Sequence, residues 1–303
     1  MSITASMVSE LREKTGAGMM DCKKALTEAA GNMEEAIDIL RKKGLSAAAK
    51  KSGRVAAEGL VVAAGEGDCG VLVEVNAETD FVAKNEAFQK FTAAVAEVVL
   101  RQAPTDVEAL KALAFPGTGR SVGEELTHQI ATIGENMNIR RFARFEAKPG
   151  AVAAYIHGAG KIGTLVELQT EKGASEEVKA LARQIAMHVA AANPQYLVRA
   201  EVPADVLERE RDIMSVKAKE SGKPDNIIPK IVEGQLNKFY GEVCLTEQAY
   251  VIDPDQKVEQ VVKALAKTLG TEIKLTRFAR FQLGEGLEKK VDDFAAEVAA
   301  LTK

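Results

Sequence analysis

Apolar positions recur along this chain with two different periods, and the change from one to the other divides it. Over residues 1–54 the spacing is helical. Val8 and Leu11 lie three apart on a first helix that ends near Thr15-Gly16-Ala17-Gly18, and a second runs from about Met20 to Ala30. Gly31 is free to take the left-handed conformation that stops it. A third opens at Asn32, an N-cap paired with Glu35 at N3, carries Ala36, Ile37 and Leu40 as its apolar stripe, and ends at Gly44. The Ala- and Lys-rich run SAAAKKSGRVAAE, residues 45–57, reads as a helical or flexible linker.

Beyond the linker the pattern turns strand-like and then repeats. GVLVEVNA at Gly70 to Ala77 matches GTLVELQT at Gly163 to Thr170, and each is followed by an Ala-rich helix ending in Ala-Pro at Pro104 or Asn-Pro at Pro194. RRFARFE at Arg140 to Glu146 matches TRFARFQ at Thr276 to Gln282, with Phe142 and Phe145 in one strand and Phe278 and Phe281 in the other, separated by arginines. Three elements in the same order make chance similarity improbable, so the pattern predicts an α+β fold with a duplicated antiparallel α+β core. The expected organisation is a helical module with its linker at 1–54, one core subdomain at 55–149, and a second at 150–202 continued at 245–284. The stretch from Pro104 to about Ile133 shows no pattern that places it.

The second repeat carries an insertion over residues 203–244. Val206, Leu207, Ile213 and Met214 recur at seven-residue spacing, Ser221-Gly222-Lys223-Pro224 breaks the helix, and Ile228, Val232 and Phe239 line a returning one. An antiparallel coiled-coil hairpin fits this, against two ordinary helices packed on the core. Residues 285–303 read as a C-terminal helix with Val291, Phe294, Ala295 and Val298 on its apolar side.

Charge narrows the function. The 303 residues carry 40 basic and 44 acidic side chains, a net charge of -4 without long single-sign blocks, which argues against a binder of duplex or tRNA phosphates. Aromatics are 5% of the chain and Trp is absent, so a base-stacking platform is not expected either. Cys22, Cys69 and Cys244 are odd in number and widely spaced, which reads as reduced thiols in a cytoplasmic protein rather than a metal or redox site. No stretch has the apolar length of a signal segment or a membrane span.

Candidate chemistry is sparse. Gly65-Gly67-Gly70 and Gly158-Gly160-Gly163 match a dinucleotide fingerprint, yet both precede strand-like runs instead of helices and read as hairpin turns. His188 reads as a satisfied helical histidine, His128 as solvated beside Glu124 and Glu125, and His157 as presented at a hairpin tip before Gly158-Ala159-Gly160. No nucleophile has a partner base at recognisable spacing. The expectation is therefore a protein that is not an enzyme and needs no cofactor or metal. EVNAETDFVAKN, Glu74 to Asn85, holds the most informative peptide, Thr79-Asp80-Phe81-Val82. The following helix carries Phe88, Phe91, Val95 and Val98 on one face, and Phe81 falls seven residues before Phe88, in register with that buried stripe. If Asn85 caps the helix instead, Phe81 is released from the register and can point outward. Both readings stand on spacing alone.

LREKTGAGMMDCKKAL (Leu11 to Leu26), EVNAETDFVAK (Glu74 to Lys84), GENMNIRRFARFE (Gly134 to Glu146), the hairpin SGKPDNIIPKIVEGQLNKFYGEV and the tail GEGLEKKVDDFAAEVAA together resemble the elongation factor Ts family, over most of the chain. The resemblance implies a guanine-nucleotide exchange factor that binds elongation factor Tu carrying GDP and loosens the nucleotide by disturbing the partner's magnesium and phosphate site. It implies that the head is similar to ubiquitin-associated modules, with Leu11, Met19 and Met20 touching the partner. Asp80 and Phe81, within Thr79 to Val82, match the pair that intrudes near the magnesium, and His157 matches a second partner-facing position. The competing readings are a ubiquitin-associated-like adaptor without exchange activity and a nucleotide-holding enzyme.

Overall fold

The computed structural model describes residues 3–288. The fold is α+β, and its contacts group into two compact units: one of the residues up to Val62 with Val73–Phe142 and the stretch from Gln282 onward, the other of Ala63–Leu72 with Ala143–Phe281. Among the described residues no helix is long and apolar enough to cross a membrane.

In the first unit three helices open the chain: α1 (Ala5–Thr15), α2 (Met19–Glu28) and α3 (Met33–Lys51). Thr4 caps α1, Gly16 stops it at φ 64°, and the Asn32 side chain accepts from the amides of both Glu34 and Glu35 to start α3. Leu11, Cys22, Ala25, Leu26 and Ala36 form their common core. Gly44 does not end the third helix. It is buried within α3, where a Cβ would meet that of Ala131 at 3.5 Å. The Ala- and Lys-rich run after it is a strong helix former and carries α3 on to Lys51, past the roughly 1 kcal/mol cost of one interior glycine.

Strands β1 (Glu58–Ala64), β2 (Cys69–Ala77) and β3 (Met137–Glu146) form one sheet with β2 in the middle. Between β2 and β3 lie a single helical turn α4 (Asp80–Ala83), then α5 (Glu86–Gln102), α6 (Val107–Ala112) and α7 (Val122–Ile133). The last two fill the stretch that showed no pattern. Ser121 and Glu124 close a reciprocal capping box at the start of α7.

The second sheet repeats the order with β4 (Gly150–His157), β5 (Ile162–Gln169) and β6 (Lys274–Gln282), β5 in the middle. β4 and β5 are antiparallel, with Gly150 opposite Gln169 and His157 opposite Ile162. α8 (Glu176–Ala192) matches α5, both of 17 residues, and both end on a left-handed residue before a proline: Ala103 at φ 46° and Asn193 at φ 48°. Both glycine-rich runs are β-hairpin turns, as their context predicts: Gly65 and Gly67 between β1 and β2, Gly158 and Gly160 between β4 and β5.

α9 (Ala204–Glu220) and α10 (Ile228–Val243) form the inserted hairpin, and α11 (Val258–Leu269) leads into β6. Ala218, Ile228, Val232 and Leu236 share a small core with Leu207, Met214 and Tyr240. Of the tail helix expected over residues 285–303, residues 285–288 form a turn and not a helix, and the remainder lies outside the described residues.

Candidate functional site

The peptide after β2 is built to project. Asn85, not an earlier residue, caps α5, accepting from the amides of Ala87 at 2.8 Å and Phe88 at 3.3 Å. The α5 register therefore begins at Glu86, and Phe88, Phe91 and Val95 are buried from there. The preceding turn α4 has its own register, which leaves the Phe81 ring 78% exposed while Val82 beside it is 5% exposed. Spacing in register with Phe88 suggests core packing for Phe81, but the break at Lys84-Asn85 rotates the ring outward. Val82 is an anchor and not a surface contact.

Asp80 is exposed next to Phe81. Its carboxylate accepts from Lys84 Nζ at 2.8 Å, and the same ammonium lies 5.6 Å from the Phe81 ring centroid. An acid, an aromatic face and a cation thus stand together at the surface, one helical turn apart.

Thr79 occupies the N-cap position of α4 without capping it. Its amide donates to Glu135 Oε2 at 3.0 Å and its hydroxyl to Glu135 Oε1 at 2.7 Å. The reverse contact is made one residue earlier, where Glu78 Oε1 accepts from the Asn136 amide at 2.5 Å. Asn136 Nδ2 in turn donates to the Arg54 carbonyl at 2.7 Å. Glu78, Lys84, Glu135 and Asn136 were not among the residues singled out from sequence. Lys84 was legible as an i, i+4 partner of Asp80, whereas Glu135 lies 56 residues from Thr79 and no local spacing reveals it.

Behind the peptide, β2 carries Glu74, fully buried. It accepts from the Gly284 amide at 2.9 Å, Arg140 at 3.0 Å and Arg141 at 2.6 Å. Burial alone would raise its pKa, but the Gly284 amide and the two guanidinium groups outweigh that and hold it below the usual carboxylate value. The second sheet holds an equivalent pair, with Glu167 accepting from Arg277 Nε at 2.7 Å.

On the head, Met19 and Met20 at the start of α2 are 60% and 63% exposed, and Met20 lines a shallow groove with Lys23, Lys24, Thr27 and Glu28. Leu11 does not reach the surface. It is fully buried among Val8, Cys22 and Leu26, because the α1 face that carries it turns toward α2 and α3. Its contribution is to hold the helix that displays the methionines. His157 belongs to the second unit. It is exposed at the end of β4, with Nδ1 3.1 Å from the Tyr155 hydroxyl, beside the left-handed turn of Gly158, Ala159 and Gly160.

The other histidines are structural. His188 is fully buried; its Nδ1 accepts from the Val251 amide at 3.1 Å, so Nε2 carries the proton it shares with Gln248 Oε1 at 2.9 Å. His128 is half-buried against the Gly16 turn instead of solvated, and burial, then the Arg120 charge, lowers its pKa. Cys22 and Cys244 are buried free thiols, and burial pushes Cys244 up to about 11.

A family model described as "Elongation factor TS" matches residues 78–285, a span that begins one residue before Thr79. The chain is 70% identical to the "Elongation factor Ts" of Syntrophotalea carbinolica over 303 residues, 100% of both chains. It is 57% identical to that of Magnetococcus marinus, again over 100% of both. With the protein of the same name from Trichlorobacter lovleyi it shares 58% over 306 residues, 99% of this chain and 98% of the relative.

Proposed function

The chain belongs to the elongation factor Ts family of translation elongation factors, and we propose that it is a guanine-nucleotide exchange factor that binds elongation factor Tu carrying GDP and promotes release of the nucleotide. The observation that carries this reading is Phe81, a large apolar ring held 78% exposed beside Asp80 on a turn clamped from behind. Holding such a ring in water is unfavourable, and an intruding contact is what makes use of it.

In this reading the Asp80–Phe81 pair enters the partner near its magnesium and phosphate site. Disturbing the metal removes charge compensation from the phosphates, and a small shift of their amide cradle weakens several charge-assisted bonds together. No bond is made or broken by this chain. Because binding is linked, a factor that lowers nucleotide affinity by some ratio has its own affinity lowered by nucleotide in the same ratio, so GTP entry expels it. Met19 and Met20 supply an adaptable apolar docking surface on the head, with Leu11 as its buried support, and His157 a second contact from the other unit. The head acts as a ubiquitin-associated-like module joined to a duplicated core.

The test is stopped-flow release of labelled GDP from elongation factor Tu, with and without the full chain. The chain is expected to accelerate release and, titrated alone, to bind no labelled GDP. Unchanged release at saturating factor sinks the reading, and GDP binding by the chain itself favours a nucleotide-holding enzyme.

A further inference from the structure

We propose that Glu135 is a positioning residue for nucleotide exchange, acting through Thr79 to fix the direction in which Asp80 and Phe81 project; the inference rests on the reading of those two residues given above. A helix of one turn is not stable by itself, since nucleation fixes several dihedrals for one hydrogen bond. α4 has four residues, and its N-cap residue makes no side-chain cap. The Thr79 hydroxyl, the group that ordinarily serves the first amides of a helix, is instead committed to Glu135.

The Glu135 carboxylate takes both donors of Thr79, the amide on one oxygen at 3.0 Å and the hydroxyl on the other at 2.7 Å. A two-point contact to a planar acceptor fixes rotation as well as distance. The crossed contact from the Asn136 amide to Glu78 ties the same two turns at the preceding residue, and Arg54 reaches Glu78 at 3.4 Å. Glu78 and Thr79 are thereby held at consecutive positions, so the chain leaves β2 in one direction. Val82 pins the far end of the turn in the core, and the Asn85 cap begins the next helix. Phe81 lies between two fixed points and has one way to face. Glu135 touches neither partner nor nucleotide in this scheme. Its effect is on the orientation of the ring and therefore on the rate of release at saturation, more than on binding, to which the head also contributes.

The experiment is a double-mutant cycle in the full chain, reading GDP release from elongation factor Tu as maximal rate and half-saturating concentration separately, with thermal unfolding of every variant. Glu135→Ala is expected to lower the maximal rate about tenfold, the worth of a charge-assisted bond lost, with a small change in half-saturation. Glu135→Gln, which can still pair both groups of Thr79, restores most of the rate. In a Phe81→Ala background Glu135→Ala adds little. Thr79→Val, which removes the hydroxyl alone, gives an intermediate loss and serves if Glu135→Ala does not fold. A full maximal rate in the folded Glu135→Ala or Thr79→Val protein overturns the proposal, as does an equal proportional loss with and without Phe81. A full rate for Phe81→Ala alone overturns the underlying reading of the projecting peptide, and this proposal with it.

Discussion

Truncating Phe81 leaves no cavity, because the ring is 78% exposed and its backbone is held by other residues. Phe81→Ala is therefore expected to unfold within about 0.5 kcal/mol of the parent, while GDP release at a fixed, subsaturating concentration slows by roughly thirtyfold, the worth of a central interface aromatic of about 2 kcal/mol. A melting temperature lowered by many degrees with normal exchange from the folded fraction reverses the assignment. A second residue-scale expectation concerns acid. His188 and His128 both have pKa values lowered mainly by burial, so each remains neutral in the folded chain at a pH where the unfolded chain is already protonated. The unfolded state then binds more protons, and stability rises with pH across that window. Their contribution is complete above the ordinary value of 6.5 and is lost as pH falls through the lowered folded values. Urea unfolding between pH 8 and pH 5 checks this, and His188→Gln should flatten the slope. At this scale the sequence carried both fates of Phe81 and could not choose. The decision rests on one cap, Asn85, whose competition with a continuous helix is a matter of about 1 kcal/mol.

Between elements, the duplication makes its own prediction. α5 and α8 stop at equivalent left-handed residues, but one is Ala103 and the other Asn193. Left-handed backbone costs an alanine roughly 1 kcal/mol, and asparagine tolerates it better. Ala103 is exposed, so Ala103→Asn meets no packing obstacle and should stabilise the chain by up to about 1 kcal/mol, read in urea unfolding. No gain would mean that the proline after it, not the conformation, sets the strain. The repeats themselves were legible because each middle strand is nearly continuous in apolar residues, and because Glu74 and Glu167 stand at matching positions with Arg141 and Arg277 opposite them. The length of α3 was not. Gly44 reads as a stop locally, whereas in the fold it is an interior position of α3 facing α7, where a Cβ would make ordinary contact with Ala131 at 3.5 Å. α7 carried a legible signal, Ser121 followed three residues later by Glu124, ahead of an apolar-periodic run.

At the scale of the molecule, the hairpin separates into a base that belongs to the second unit and a tip that supports only itself. The base is tied in: the Val243 carbonyl accepts from the amides of Gln195 and Tyr196, Gln248 Nε2 donates to the Glu242 carbonyl at 2.7 Å, and Val202, Val243 and Cys244 share one core. Arg199 pairs with Glu247 and lies 4.4 Å from the Tyr240 ring centroid. Toward the tip, Ala218, Ile228 and Val232 pack within the hairpin, while Ile213, Val216 and Ile227 are exposed. The heptad spacing of Val206, Leu207, Ile213 and Met214 foretold two paired helices, but it could not mark where the pairing stops being internal, since that depends on Tyr196 and Gln248 in other parts of the chain. Two deletions distinguish the parts. Replacing residues 210–234 with a short Gly/Ser turn removes the tip and leaves Arg199, Leu207, Phe239 and Tyr240 in place, so the unfolding midpoint should move little. Replacing residues 203–244 instead strips Val243 and Cys244 from the core and leaves the amides of Gln195 and Tyr196 without their acceptor. Deleting two buried core side chains removes packing worth several kcal/mol, so this second protein should melt several degrees lower or fail to fold. Native-state hydrogen exchange on the intact chain gives an independent reading: amides of Ala218 and Val232 should open at lower free energy than those of α8, because the tip can unzip without disturbing the sheet. Equal protection at tip and base, together with a large loss of stability from the shorter deletion, would show that the hairpin folds and unfolds with the core as one unit.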